Sequence, residues 1–337
     1  LSNTFFYFRF FLFSICFLYI LNNNENLIKK LFYVLLFCYS ILFFDSIFQS
    51  YFKINLIGMP INQEYEGRRI SSFFGDELVL GSYIARLSPL IMGIFFYLSS
   101  KKKFINENYF IIFLFFSEIA IFLSGERTAL LLYNFFIVLL VIFINDYKRL
   151  KIKIIFIFIS SLVLLFSLDI PSKKRILDET LRHLKPENYN SKYVIINKQY
   201  HEHFISSFRI FKDNKLIGVG PKNFRIVCHE KKYNLSKITC STHPHNTYLQ
   251  LLSETGIFGF LTVFIIFLTL VYFLLKNYIL SVNGKKLIFD NLEICLILHF
   301  IISLFPLTTS GNFFNNWISI IYFYPVGILV WSLGKKK

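Results

Sequence analysis

Long apolar runs separated by lysine clusters constrain this chain more than any single motif. An apolar stretch of about 20 residues crosses a bilayer as a helix, because a helix pairs its own backbone groups inside lipid. Nine segments read this way: residues 4–21, 31–49, 78–100, 108–123, 128–145, 153–169, 257–275, 287–305 and 317–333. Hydrophobic residues make up 55% of the chain, so a soluble domain of ordinary composition is excluded. The first run lacks a basic start and a small-residue cleavage site, and so reads as a span rather than a secretion signal. The fold expected is an all-α polytopic membrane protein. Residues 1–169 supply six transmembrane helices, 170–256 a long external loop with short amphipathic helices, and 257–337 three more transmembrane helices.

The net charge of +16 would suit a nucleic-acid partner, but its placement argues for a membrane. Lys29 and Lys30, Lys101 to Lys103, Lys148 to Lys153, the 276–286 connection and Lys335 to Lys337 all fall in alternate connections. Short basic connections stay in the cytoplasm. No helix-turn-helix or aromatic–basic RNA motif is present, so no nucleic-acid partner is expected. The connections 50–77, 124–127, 170–256 and 306–316 then face outward. Nine spans put residue 1 outside, which fits an upstream segment with an odd number of spans.

The unusual polar residues all fall on that outer side. Arg68 and Arg69 lie in the 50–77 connection, and Arg86 lies within the span that follows. They read either as contacts for an anionic lipid head group or as local charges, Arg86 pairing with Asp76 or Glu77. In the turn Ser124-Gly125-Glu126-Arg127, guanidinium at a helix mouth suits a diphosphate, while a local Glu126–Arg127 pair is the plainer reading. Residues 198–214 read as an amphipathic helix that lies on the bilayer surface or packs over the spans, with Phe204, Ile205, Phe208 and Phe211 along one side and Arg209 off that stripe. A turn at Gly218-Val219-Gly220-Pro221-Lys222-Asn223-Phe224 precedes Arg225 and a further short helix. An oxidising compartment favours a Cys228–Cys240 disulfide. A zinc site from Cys228, Cys240, His243 and His245 matches no familiar spacing, so no metal is expected.

Chemistry concentrates in the segment from His243 to Phe260. Pro244 suits a first helical turn, which would put His245 at a helix N-terminus and keep its imidazole neutral. A neutral imidazole can serve as a base, and the same helix end attracts phosphate. The plainer reading is a capping histidine. On the helix that follows, Gly256 and Gly259 would allow close packing against another span.

This segment reads His-Asn, nine residues, Gly, two residues, Gly, through Asn246, Gly256 and Gly259. It resembles the long-loop signature of the bacterial O-antigen ligase and O-antigen polymerase superfamily. The turn Ser124 to Ala129 resembles that group's Ser-x-x-Arg-Thr-Ala element, and Gly218 to Phe224 its Gly-x-Gly-x-x-x-Phe turn. The resemblance implies a GT-C-like helical bundle in the bacterial inner membrane, with its site facing the periplasm. It implies an undecaprenyl-diphosphate-linked glycan as donor. The acceptor would be a glycan, the lipid A-core of lipopolysaccharide, or a protein. It also implies His245 as base, Arg127 at the diphosphate, and neither metal nor cofactor. Arg86, Arg209 and Arg225 are further candidates for the diphosphate. Nine spans are fewer than the dozen or so usual in that group. Two other classes stay open: a flippase-like transporter, which would carry broken helices near mid-membrane, and a non-enzymatic membrane subunit.

Overall fold

The computed structural model describes residues 2–61, 69–101, 106–184 and 198–336, without the side chains of 2–5. Among them there are helices and no strands. In chain order these are α1 (Ser2–Asn23), α2 (Leu27–Phe52), α3 (Leu80–Ser100), α4 (Glu107–Leu123), α5 (Arg127–Phe143) and α6 (Lys148–Ser167). Then come α7 (Pro171–Leu184), α8 (Lys198–Asp213), α9 (Phe224–Val227), α10 (Thr247–Val282), α11 (Asn291–Ser303) and α12 (Asn316–Gly334). Each of the nine expected spans coincides with a helix. Six are long and apolar enough to cross a membrane: α1, α2, α3, α6, α10 and α12. The chain is a polytopic all-α membrane protein. With 17 residues, α4 and α5 rise about 26 Å, and the 13 residues of α11 about 20 Å, both less than a hydrocarbon core of about 30 Å.

The chain forms two compact units. One comprises Tyr19–Thr180, Phe273–Ser303 and Ile328–Lys337. Its centre is α3, buried over most of its length. Small residues let neighbours approach it. A Cβ on Gly81 would stand 2.4 Å from Ser124 Oγ, and one on Gly93 3.1 Å from the Leu292 carbonyl of α11. The basic connections of this unit are tied together. Glu25 pairs with both Lys101 and Lys335, which hold its carboxyl down at about 2, Lys101 foremost. Lys336 pairs with Glu293 and Asp290, and Asn145 bonds Ser281 and Asn291. The lysine-bearing connections thus form one linked layer.

The other unit comprises Leu1–Leu18, Leu181–Tyr272 and Leu304–Gly327. Here α1 and α12 pack closely: Ser14 Oγ donates to the Phe323 carbonyl at 2.6 Å, and Gly327 leaves no space for a Cβ beside Ser14. The loop region has its own small core of Ile210, Phe224, Cys228 and Tyr233. Cys228 and Cys240 are joined there as a disulfide with Cα atoms 5.5 Å apart.

The helix α8 turns its polar side inward. Its buried face is Glu202, His203, Ser206, Ser207 and Ile210, not the Phe204, Ile205, Phe208 and Phe211 stripe. Polar partners explain this. Glu202 accepts from Ser236 and Thr239, His203 Nε2 bonds the Ile238 carbonyl at 3.1 Å, and Ser207 Oγ donates to the Leu249 carbonyl at 2.7 Å.

Candidate active site

The helix carrying the His-Asn motif begins later than Pro244 implies. Asn246 is its cap, its side-chain oxygen accepting from the amides of Tyr248 at 3.0 Å and Leu249 at 3.1 Å. The Asn246 amide group donates back to the carbonyls of Pro306 at 2.9 Å and Thr308 at 3.3 Å. His245 therefore precedes the cap, in a left-handed conformation with φ 57°. That conformation is uncommon outside glycine and costs about 1–2 kcal/mol. The Ser310 amide, which donates to the His245 carbonyl at 2.9 Å, helps hold it.

Around His245 stand three rings. His243 lies 4.1 Å away between centroids, His203 at 5.3 Å and nearly parallel, and Tyr200 edge-on at 5.3 Å. His243 is fixed at both nitrogens, Nε2 to the Ser310 carbonyl at 3.1 Å and Nδ1 to Thr242 Oγ1 at 2.9 Å. The carbonyl requires Nε2 to carry the proton, so Nδ1 accepts from the threonine. The His245 ring has no hydrogen-bond partner among the described residues. Burial, then the charges that His243 and His203 would carry, push His245 down to about 3. Burial, with the repulsion of His203 and Arg225, pushes His243 down to about 4. Desolvation and neighbouring histidines, rather than a helix end, favour the neutral imidazole at His245.

This cluster makes stability depend on pH. Near pH 6.5 the unfolded chain takes up protons at these histidines that the folded chain excludes. Above that pH their contribution is constant. As pH falls from about 6.5 toward 4, stability is lost, by at most about 1.4 kcal/mol per pH unit for each histidine. Thermal unfolding of the detergent-purified protein should show a midpoint that drops below pH 6.5, with a shallower slope in His243→Gln. A midpoint that rises on acidification contradicts the assignment.

The remaining motif residues form backbone architecture. Gly256 kinks α10, with φ 67° and ψ −162°. Into the kink fits the glycine turn: Val219 and Gly220 amides donate to the carbonyls of Ser253 at 3.0 Å and Glu254 at 2.8 Å, and the Lys215 carbonyl accepts from Ile257 at 2.8 Å. A Cβ on Gly256 would lie 2.2 Å from the Leu216 oxygen, and one on Gly218 2.4 Å from the Glu254 backbone. Gly256 thus receives the turn rather than another span, and Gly259 sits against Thr255 of its own helix. The Glu254 carboxylate accepts from the amides of Lys222 at 2.9 Å and Phe224 at 3.0 Å, and Gln250 links Glu254 to Asn312. The charge of Arg225 reaches both His243 and Glu254. Arg209 is exposed on α8. Among the described residues His229, not His243 or His245, stands with Cys228 and Cys240, which are joined as the disulfide.

The other arginines belong to the unit built on α3. Glu126 accepts from the Gly81 amide at 2.7 Å and from Ser82 through its amide at 3.2 Å and hydroxyl at 2.6 Å, capping α3. Burial raises its carboxyl above the ordinary range, against the opposing charges of Arg69 and Arg86. Arg86 is 2% exposed; its Nη1 donates to the Ser82 carbonyl at 3.3 Å, and the charge it faces is Glu126 rather than Asp76 or Glu77. His299 Nδ1 bonds the Arg86 carbonyl at 2.6 Å. Arg69 Nη2 donates to the Leu78 carbonyl at 2.8 Å, while Arg68 lies outside the described residues. Arg127 Nη1 reaches Thr180 Oγ1 at 3.4 Å. Arg175, which no motif singles out, donates to the Gly125 carbonyl at 3.2 Å and pairs with Glu179. His203, His243 and Tyr200 were equally unmarked as a group. Their sequence separation hides an arrangement that forms when α8 packs against the 238–249 segment.

No curated protein matches the chain. A family model described as O-antigen ligase matches residues 110–264. That stretch contains the Ser124 turn, the glycine turn and the His-Asn motif with Gly256 and Gly259. The match supports the resemblance to the O-antigen ligase/polymerase superfamily drawn from these motifs, and with it glycan transfer as the general activity.

Proposed function

We propose that the chain moves a glycan from an undecaprenyl-diphosphate carrier to an acceptor hydroxyl at the periplasmic face of a bacterial inner membrane, with His245 as base. The observation that carries this reading is a desolvated, neutral imidazole without a hydrogen-bond partner among the described residues, held in a strained backbone by rings on three sides. The acceptor is a glycan, a lipid A-core or a protein. The acceptor oxygen forms a bond to the anomeric carbon as the bond from that carbon to the diphosphate oxygen breaks. The hydroxyl proton passes to His245 and the electron pair leaves with the diphosphate. An approaching diphosphate dianion raises the basicity of His245 from its resting value.

Charge on the leaving group is met by guanidinium. Arg127 is assigned to the diphosphate, and Arg69, Arg86 and Arg175 surround the same turn in its own unit. Arg225, near His243, and Arg209 are the basic residues of the other unit, and Arg68 is retained from the sequence. Diphosphate is a good leaving group without protonation, so the scheme needs no metal and no carboxylic acid to protonate it. The shared layer of lysine-bearing connections supports the assignment of one side as cytoplasmic.

Proteoliposomes loaded with a polyprenyl-diphosphate glycan and an acceptor test this reading. Polyprenyl diphosphate and a new glycosidic product should appear in stoichiometric amounts, at the same rate with or without EDTA. Arg127→Ala should raise the KM for the donor by about 10- to 100-fold, the worth of one charge-assisted hydrogen bond. Transfer that stops in EDTA and returns with a divalent cation contradicts the metal-free scheme. An unchanged KM removes Arg127 from the diphosphate.

A further inference from the structure

On the apolar side of α8, Phe204, Ile205 and Phe211 are half-buried and Phe208 is exposed. The polar face of the helix is packed inside its unit, while Phe208 on the opposite side is 45% exposed. The chain continues from α8 into Leu216 and Ile217, 61% and 77% exposed. Arg209, Lys212 and Lys215 are exposed around them, and Lys212 Nζ lies 4.9 Å over the Phe208 ring. In water this arrangement would expose apolar surface for no gain. At a bilayer interface it is favourable, because apolar side chains enter the acyl boundary and cations meet anionic head groups.

The height of this surface is fixed by a backbone bond. The Lys215 carbonyl accepts from Ile257, the residue at which α10 leaves its kink and continues as a membrane span. Below that point α10 presents Phe258, Leu261 and Ile265 outward, 62%, 41% and 57% exposed. Leu216 and Ile217 are thus exposed beside the point where this apolar span begins. We propose that Phe208, Leu216 and Ile217, ringed by Arg209, Lys212 and Lys215, form an interfacial anchor that dips into a leaflet rich in anionic lipid. The opposite face of α8 carries His203, which stacks on His245. The anchor thereby sets the height of the histidine cluster relative to the head groups. A substrate carried on a lipid presents its sugar at that level.

The anchor is tested without any activity measurement, so its fate is separate from that of the proposed reaction. Phe208→Trp and Ile217→Trp are made singly in the full chain and reconstituted in phosphatidylglycerol vesicles. The added emission is read as the difference from the parent, which contains two tryptophans. With lipid brominated near the top of its acyl chains, about half of the added emission should be lost, while aqueous iodide should have little effect. Replacing Arg209, Lys212 and Lys215 together by Gln should weaken the bromine effect more in phosphatidylglycerol vesicles than in vesicles of neutral lipid. Quenching by iodide and not by bromine means that the face is in water, and overturns the proposal. Quenching by neither means that protein covers it, a second copy or another chain, and overturns it equally.

Discussion

Replacing His245 by asparagine should slow glycan transfer by about 10²- to 10⁴-fold, the range lost with a general base. Asparagine suits the test because it tolerates the left-handed conformation that His245 occupies at φ 57°. The backbone bond from Ser310 to the residue 245 carbonyl does not depend on the side chain and should survive. The loss should fall on kcat, with the donor KM nearly unchanged, because the histidine is assigned to the proton and not to the diphosphate. The wild-type pH profile carries a second signature. An ordinary loop histidine would protonate near pH 6.5 and take kcat/KM down with it. With the resting imidazole held down at about 3, kcat/KM should not fall with a pKa near 6.5 as pH drops from 8 to 5. A descending limb near 6.5 that disappears in the variant would show a base in an ordinary environment, contrary to the buried cluster seen here.

The second large effect is structural. Gly256→Ala should destabilise the protein by more than about 3 kcal/mol, enough to lower its yield and thermal midpoint sharply. Two costs combine. A φ of 67° with ψ near −162° belongs to a region that is essentially glycine's own, worth about 1–3 kcal/mol for another residue. The new Cβ would also stand 2.2 Å from the Leu216 oxygen, a backbone atom with no rotamer to change. The glycine turn would be driven out of the kink, and with it the bonds from Val219 and Gly220 to α10. Gly284→Ala is the control. Gly284 also has a positive φ, 62°, but a Cβ there meets nothing within 4 Å. Its cost should stay near the conformational part alone, about 1–2 kcal/mol. Equal effects at the two positions would mean that the turn does not occupy the kink.

Much of this molecule was readable before its structure, for a physical reason. Lipid demands long apolar helices, and the cost of moving lysine across the bilayer sorts the connections, so the helices follow from composition along the chain. The site was legible in part. His245, Asn246, Gly256 and Arg127 stand in short motifs whose spacing is itself a signal. The reasons for that spacing were not legible. Gly256 looks like a packing glycine until the turn from Leu216 to Gly220 is seen inside the kink. His245 looks like a first-turn residue until Asn246 takes the cap. His203 and Arg175 lie far in sequence from the groups they approach, and no local periodicity encodes such contacts. On α8 the apolar stripe left open whether that side lies on the bilayer surface or packs over the spans. The pattern of an amphipathic helix shows that its two sides differ, not which of them turns inward. Polar partners at Glu202, His203 and Ser207 drew the other side in.

The most direct measurement is the glycan profile of a bacterial strain deleted for this gene and complemented with wild type, His245→Asn or Arg127→Ala at matched membrane levels. The deletion also sorts the acceptor. A bare core with polymer left on the carrier lipid marks a ligase. A core capped by one repeat unit marks a polymerase, and an unmodified protein marks protein glycosylation. His245→Asn should reproduce the deletion profile, and Arg127→Ala should give a reduced amount of the wild-type product. Full restoration of the wild-type profile by His245→Asn contradicts the central claim that this histidine performs the proton transfer.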